Sequence, residues 1–267
     1  MQPFELGGVD FFIDALKNVL ATREKSGEAS IDATSNLVEM MKKVRADPNY
    51  KRLGIDEKVV LAQGWEFFVA GYAGVRDALD VFMYEMASNE SIQENVYEEI
   101  KSVAKGQLVS LVKGQLVSLE AISQLPYLNA CLLEATRLHP PFIHPERLCN
   151  KEWKHEGIRI PKGTQIIFPM TAIHHNPEFY SNPEIFDPTR FMPGNKEGRD
   201  PYTYFAFGQG PRSCIGQRFA IEMLKVLIVS FLLRFKMQKR ADTICEARPG
   251  GTFFLTFKPI YLDVIKR

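Results

Sequence analysis

Cysteine, histidine and tryptophan are scarce, with four, five and two residues in a chain of 267. The cysteines, at 131, 149, 214 and 245, form no C-x-x-C pair and no zinc-ligand spacing. A disulfide scaffold and a zinc module are therefore not indicated, and a reducing compartment is the default. Charge of one sign is also lacking: the formal net charge is +1 without a dense basic run, so nothing electrostatic points to nucleic acid or a strongly acidic substrate. Long apolar runs are missing too. The longest uncharged stretches fall short of a membrane span, and MQPFELGGVD has no basic segment followed by an apolar core, so neither a spanning helix nor a signal peptide is expected. What is present, 45% hydrophobic and 24% charged residues, is the balance of one or two globular domains with a sizeable core.

Apolar residues recur at helical spacing over 9–24, 32–45, 57–87, 90–104, 123–138 and 217–235, with Asp56 placed to cap the third of these. The 57–87 helix carries Gly64, Gly71 and Gly74 in its interior. Each costs roughly 1 kcal/mol relative to alanine, a loss that makes sense where something large must approach the backbone. Residues 105–120 hold a tandem, KGQLVSLV then KGQLVSLE, which reads as a loop duplication, since a solenoid needs three or more units. From 139 to 200 the texture turns irregular and rich in proline and asparagine, with short β-type runs around a PKG turn. His144, His174 and His175 read there as ordinary loop histidines. The tail GGTFFLTFKPIYLDVI alternates like a hairpin.

Against this background FAFGQGPRSCIGQRFA, residues 205–220, stands out. Gly210 and Gly216 permit conformations or close approaches that a Cβ forbids. Cys214 precedes a helix N-terminus, where the dipole, the free N–H groups and Arg212 all favour a thiolate, the form of cysteine that binds metals. Taken alone, an unpaired cysteine before a core helix is more often a small buried hydrophobe.

Phe207, Gly210, Arg212, Cys214 and Gly216 together match F-x-x-G-x-R-x-C-x-G, and the loop resembles the haem-binding loop of the cytochrome P450 family of haem-thiolate monooxygenases. Glu134 and Arg137 in CLLEATRLHPP resemble the family's E-x-x-R, and Arg190 in FDPTRF its third charged member. At a spacing of three, a carboxylate and a guanidinium share one helix face and can form a bidentate fork. The resemblance implies a mainly α (α+β) fold equivalent to the family's C-terminal half, one truncated domain over 1–267. It implies haem b with Cys214 as axial ligand and sole catalytic and metal-binding residue. Arg147 and Arg212 would face the haem propionates. Ala70, Gly71 and Gly74 would lie against the haem's distal face, and Phe68, Ala73, Ile143, His144, Thr252 and Phe253 would line the substrate side. Glu134, Arg137 and Arg190 would be architectural. The implied reaction is monooxygenation of a small lipophilic substrate with electrons from an NADPH-dependent reductase, at the endoplasmic reticulum membrane surface. The chain shows no anchor of its own, so a cytosolic location is expected if it is made as given.

Two departures qualify this. AGYAGV, 70–75, falls where the family usually carries A-G-x-[DE]-T-T, so Ala73, Gly74 and Val75 replace the acid and alcohols associated with proton delivery. Arg76 and Asp77 follow but point elsewhere on the helix. The family's chains are also about twice as long, and the missing half includes the anchor and the part that closes the substrate pocket. Alternatives therefore stay open: an enzyme rearranging peroxides or hydroperoxides, a non-catalytic haem- or partner-binding derivative, or a truncated product that does not fold stably.

Overall fold

The computed structural model describes residues 6–27, 31–104, 118–142, 144–195, 197–247 and 257–267. Most of the 105–120 tandem, with Ile143, Thr252 and Phe253, lies outside the described residues. The described chain is mainly helical with three small two-stranded sheets, and it forms two compact units, 1–72 and 73–267. Among the described residues no helix is long and apolar enough to cross a membrane.

In the first unit, helix α1 (Leu6–Ser26) and helix α2 (Ala33–Ala46) bury Leu16, Leu20, Val38 and Met41 against Val60 and Leu61. Asp32 caps α2 by accepting from the Ser35 amide. The short helix α3 (Pro48–Arg52) follows, with Asp47 as its cap. The long helix α4 (Glu57–Ser88) starts where Asp56 accepts from the Val59 amide at 3.0 Å, leaving fewer orphan N–H groups at its first turn. A Cβ at Gly64 would stand 2.4 Å from Leu16 Cδ2, so this glycine lets α4 close onto α1.

The second unit is built on helix α5 (Glu90–Ala104), the short helix α6 (Leu119–Ser123), helix α7 (Pro126–Leu138), the short helix α8 (Met170–His174) and helix α9 (Gln217–Leu232). Val81, Phe82, Met86, Val96, Ile100, Leu128, Leu132, Ile228 and Leu232 make its core. The segment read as one helix over 123–138 is broken, because Pro126 starts a new helix after α6. No side chain of its own caps α7. Instead Glu99 on α5 accepts from the amides of Tyr127 and Leu128 at 2.7 and 2.8 Å, placing a carboxylate at the positive end of the helix.

The strands bear out one part of the sequence reading and correct two. Strand β1 (Glu146–Leu148) pairs with β4 (Gln165–Ile167), and β2 (Trp153–His155) with β3 (Ile158–Ile160), so both runs flanking the PKG turn are strands, each paired elsewhere. Helix α9 stops at Leu232, and the apolar run continues as strand β5 (Phe235–Lys239). Its partner is β6 (Leu262–Lys266), which makes the described part of the tail a long-range pairing rather than a local hairpin. Gln93 on α5 fixes β5 by donating to the Met86 and Met237 carbonyls at 2.9 and 3.0 Å and accepting from the Met237 amide at 2.8 Å.

Candidate functional site

Helix α7 carries the most concentrated buried polarity in the second unit. Glu134 and Arg137 are 0% exposed and joined by a fork: Arg137 Nε donates to Glu134 Oε2 at 2.7 Å and Nη2 to Oε1 at 2.8 Å. Arg137 also donates to the carbonyls of His174 at 2.8 Å and Pro183 at 2.7 Å, and lies 4.8 Å from the Tyr180 ring centre. Glu134 Oε1 further accepts from the Asp187 amide at 2.9 Å and Arg190 Nε at 3.3 Å. A buried charge is tolerated when paired and fully hydrogen-bonded, and this pair is both. Arg190 reaches it from the short 3₁₀ turn Pro188–Phe191.

His174, read from sequence as an ordinary loop residue, is in fact fully buried and central. The Phe205 amide donates to its Nε2 at 3.1 Å, which puts the ring proton on Nδ1, 3.2 Å from the Arg137 carbonyl. Burial is the main cause that pushes its pKa down to about 4; the bond to the Arg137 carbonyl opposes that shift, and the charges of Arg137 and His175 add to it. Its ring stacks on Tyr204 at 5.4 Å and 12°. The Tyr204 and Thr136 hydroxyls lie 2.8 Å apart, and burial raises the tyrosine's pKa. Tyr180 adds a third tie by donating to the Thr203 carbonyl at 3.1 Å. His174, Tyr180 and Tyr204 had no sequence signal beyond a histidine or tyrosine in an irregular segment.

These ties hold the front of the cysteine loop. Within it the Gly208 amide donates to the Phe205 carbonyl at 2.7 Å, and the Cys214 amide to the Phe207 carbonyl at 2.8 Å. Gly210 has φ +75°, a conformation that suits glycine. Gly208, which sequence reasoning passed over, is also left-handed at φ +73°. Gly216 departs from expectation. It is the N-cap of α9 at φ −89°, and its Cβ would meet only Cys214 Sγ, at an ordinary 3.8 Å.

Three cysteines are committed elsewhere. Burial pushes the Cys131 thiol well up and the Cys245 thiol to about 12, and Cys149 Sγ donates to the Lys151 carbonyl at 2.9 Å. Cys214 is exposed, beside Ile215 and Phe219, which are 89% and 64% exposed. It borders an open depression of about 450 Å³ with Asn129, Arg218, Glu222 and Lys225. An accessible thiol on a braced loop, next to uncovered apolar side chains, fits a flat apolar macrocycle ligated through one sulfur.

The other singled-out residues are placed as follows. Arg212 is exposed, and Arg147 is exposed on β1, its Nη1 donating to the Glu146 carbonyl. Phe207 is half-buried. His144 is partly buried, with Nδ1 3.2 Å from Glu146 Oε1. On α4, Phe68 and Ala70 are exposed in the first unit, with Phe68 against the Phe12 ring at 5.9 Å. Ala73 is partly buried and Val75 is in the core of the second unit. Beyond their chain neighbours and the nearby backbone of their own helix, no described atom lies within 4 Å of the Cβ position of Gly71 or of Gly74. Asp77 is buried, accepting from Arg76 Nε at 3.0 Å, and burial raises its pKa.

Comparison with known proteins adds independent weight. The family model described as Cytochrome P450 matches residues 7–264. Cytochrome P450 3A29 of Sus scrofa is 32% identical over 241 residues, 90% of this chain and 46% of that protein. Cytochrome P450 3A7 of Homo sapiens is 35% identical over 210 residues, 78% of this chain and 40% of that one. Probable cytochrome P450 6a14 of Drosophila melanogaster is 35% identical over 267 residues, 95% and 51% of the two chains. The chain spans about half the length of the curated relatives it matches.

Proposed function

The chain belongs to the cytochrome P450 family, and from that premise we propose that it is the haem-bearing part of a haem-thiolate monooxygenase acting on a small lipophilic substrate, with electrons from an NADPH-dependent reductase. When bound, haem b supplies the redox chemistry that inserts oxygen into the substrate. Cys214, on the loop just ahead of α9, would hold the iron through its sulfur. Left-handed Gly208 and Gly210 shape the cysteine loop, and Arg212 and Arg147 would neutralise the carboxylates of the haem. By resemblance, Ala70, Gly71 and Gly74 would lie against the haem. Phe68, Ala73, Ile143, His144, Thr252 and Phe253 would bound the substrate. Glu134, Arg137 and Arg190 brace the scaffold. By family, the endoplasmic reticulum membrane surface is its expected location.

The exposure of Cys214 on a loop braced from behind is the observation that carries this reading. Its test is the reduced, carbon monoxide-bound absorption spectrum of the haem-loaded chain. A strongly red-shifted Soret band is expected, and Cys214→Ala should abolish it. Haem binding indifferent to that substitution would overturn the assignment.

Ala73, Gly74 and Val75 favour a second reading, in which peroxides or hydroperoxides are rearranged without a side-chain proton relay. Val75 points into the core, so the alcohol position is occupied by packing. Turnover with peroxide exceeding turnover with dioxygen plus reductase supports it, and tightly coupled dioxygen use removes it.

A further inference from the structure

The buried ring of His174 touches neither the cysteine nor any singled-out surface, yet it is the described side chain that bonds both to helix α7 and to the backbone at the head of the loop. We infer that His174 is a positioning residue, a two-ended link that carries the register of the Glu134–Arg137 fork into the backbone of the Cys214 loop. The inference rests on the reading of Cys214 as the haem ligand.

Both ends of the link are specific. Arg137 donates from its guanidinium to the His174 carbonyl, and the His174 ring returns a bond to the Arg137 carbonyl, so the two residues hold each other's backbone. The opposite ring nitrogen takes the Phe205 amide, and the Phe205 carbonyl accepts the Gly208 amide that begins the left-handed turn. Phe207 then receives the Cys214 amide. Displacing Phe205 therefore shifts the turn and with it the residue that holds the cysteine backbone. Only one tautomer satisfies both ends, and the Tyr204 stack fixes the ring plane. An amide side chain can imitate one end at a time: glutamine reaches about as far as Nε2 and can accept from Phe205, whereas asparagine reaches about as far as Nδ1 and serves only Arg137.

The test compares His174→Gln, His174→Asn and His174→Phe in the full chain, by residue-resolved amide hydrogen exchange and by the carbon monoxide spectrum of the haem-loaded protein. In the Asn and Phe variants, exchange at Phe205 and Cys214 should rise roughly tenfold, the loss of about one net hydrogen bond, while Leu132 and Ala135 in α7 keep their protection. The red-shifted band should weaken in these two variants in favour of an unshifted one, and Gln should retain both signatures. Equal behaviour of Gln and Asn overturns the inference. So does exchange rising uniformly through α7, which is what a merely structural residue gives. Should the Phe variant not fold, the Gln–Asn contrast decides. A wild-type chain without the red-shifted band removes the cysteine assignment instead, and the exchange data still judge His174.

Discussion

Replacing Arg137 by lysine keeps the charge and removes the fork, which makes it a sharp test of what braces the second unit. The guanidinium serves four acceptors at 2.7–2.8 Å, both Glu134 oxygens, the His174 carbonyl and the Pro183 carbonyl, and a fifth, the Ile185 carbonyl, at 3.5 Å. An ammonium is a single point. It cannot span a carboxylate and two carbonyls approached from different directions, so at least two buried acceptors lose their donor. At about 1–3 kcal/mol for each unsatisfied buried group, Arg137→Lys should cost about 2–6 kcal/mol. That is a large share of the 5–15 kcal/mol typical of a folded domain. Urea unfolding of the full chain followed by circular dichroism measures it. A midpoint shift equivalent to less than about 1 kcal/mol, at unchanged slope, would show that the bidentate geometry contributes little and refute the reasoning.

Acid should loosen the same region. An unfolded histidine titrates near 6.5 and folded His174 at about 4, so the stability tied to its neutral ring is complete above 6.5 and is lost as pH falls from there towards 4. A shift of that size is worth about 3 kcal/mol, opposed by no carboxylate at the ring, whose neighbours are Arg137, His175 and Tyr204. Stability measured from pH 7 to 4 should show this fall, and in His174→Phe the contribution should vanish; an unchanged slope in that variant removes the assignment. On α4, Gly74→Ala should stabilise the haem-free chain by roughly 1 kcal/mol, since no described atom opposes the new methyl group. Gly64→Ala gains the same helix propensity but drives a methyl into Leu16, an overpacking that costs about 1–3 kcal/mol. Thermal midpoints that fall alike in both variants would contradict this distinction.

Helical periodicity made the fold class legible because the long helices bury one face locally. The reading of 57–87 differs from the observed Glu57–Ser88 by one residue. It failed where an apolar run served two periods in succession: Leu232 ends a helix and Phe235 begins a strand whose partner lies more than twenty residues onward. Nothing local marks that switch, because Gln93 holds Met237 from a distant helix. The E-x-x-R spacing predicted a shared face, and the fork follows from side-chain chemistry. That Glu134 would also collect the Asp187 amide, or that His174 would turn its ring to Phe205, depends on where an irregular segment of thirty-odd residues returns to α7. Burial converts an ordinary histidine into a structural link, and burial in a loop has no period to read.

The brace and the chemistry are separable on this chain, and the separation bears on how the departures at Ala73 and Val75 are weighed. The long-range partners that hold the head of this loop lie within the second unit: Thr136 on α7, His174 at the end of α8, and Tyr180 after it. Ala73 and Val75 on α4 are not among these partners, so a well-formed cysteine loop is compatible with either proposed reaction and argues for neither. The discriminating physics is at Val75. Its side chain is in the core, and a threonine there would bury a hydroxyl that needs a partner. On a helix that partner is at hand, because a threonine can bond the carbonyl one turn back, at Gly71. An alcohol at Val75 would thus be spent on its own helix and would not restore proton delivery unless it also faced the open backbone at Gly71 and Gly74.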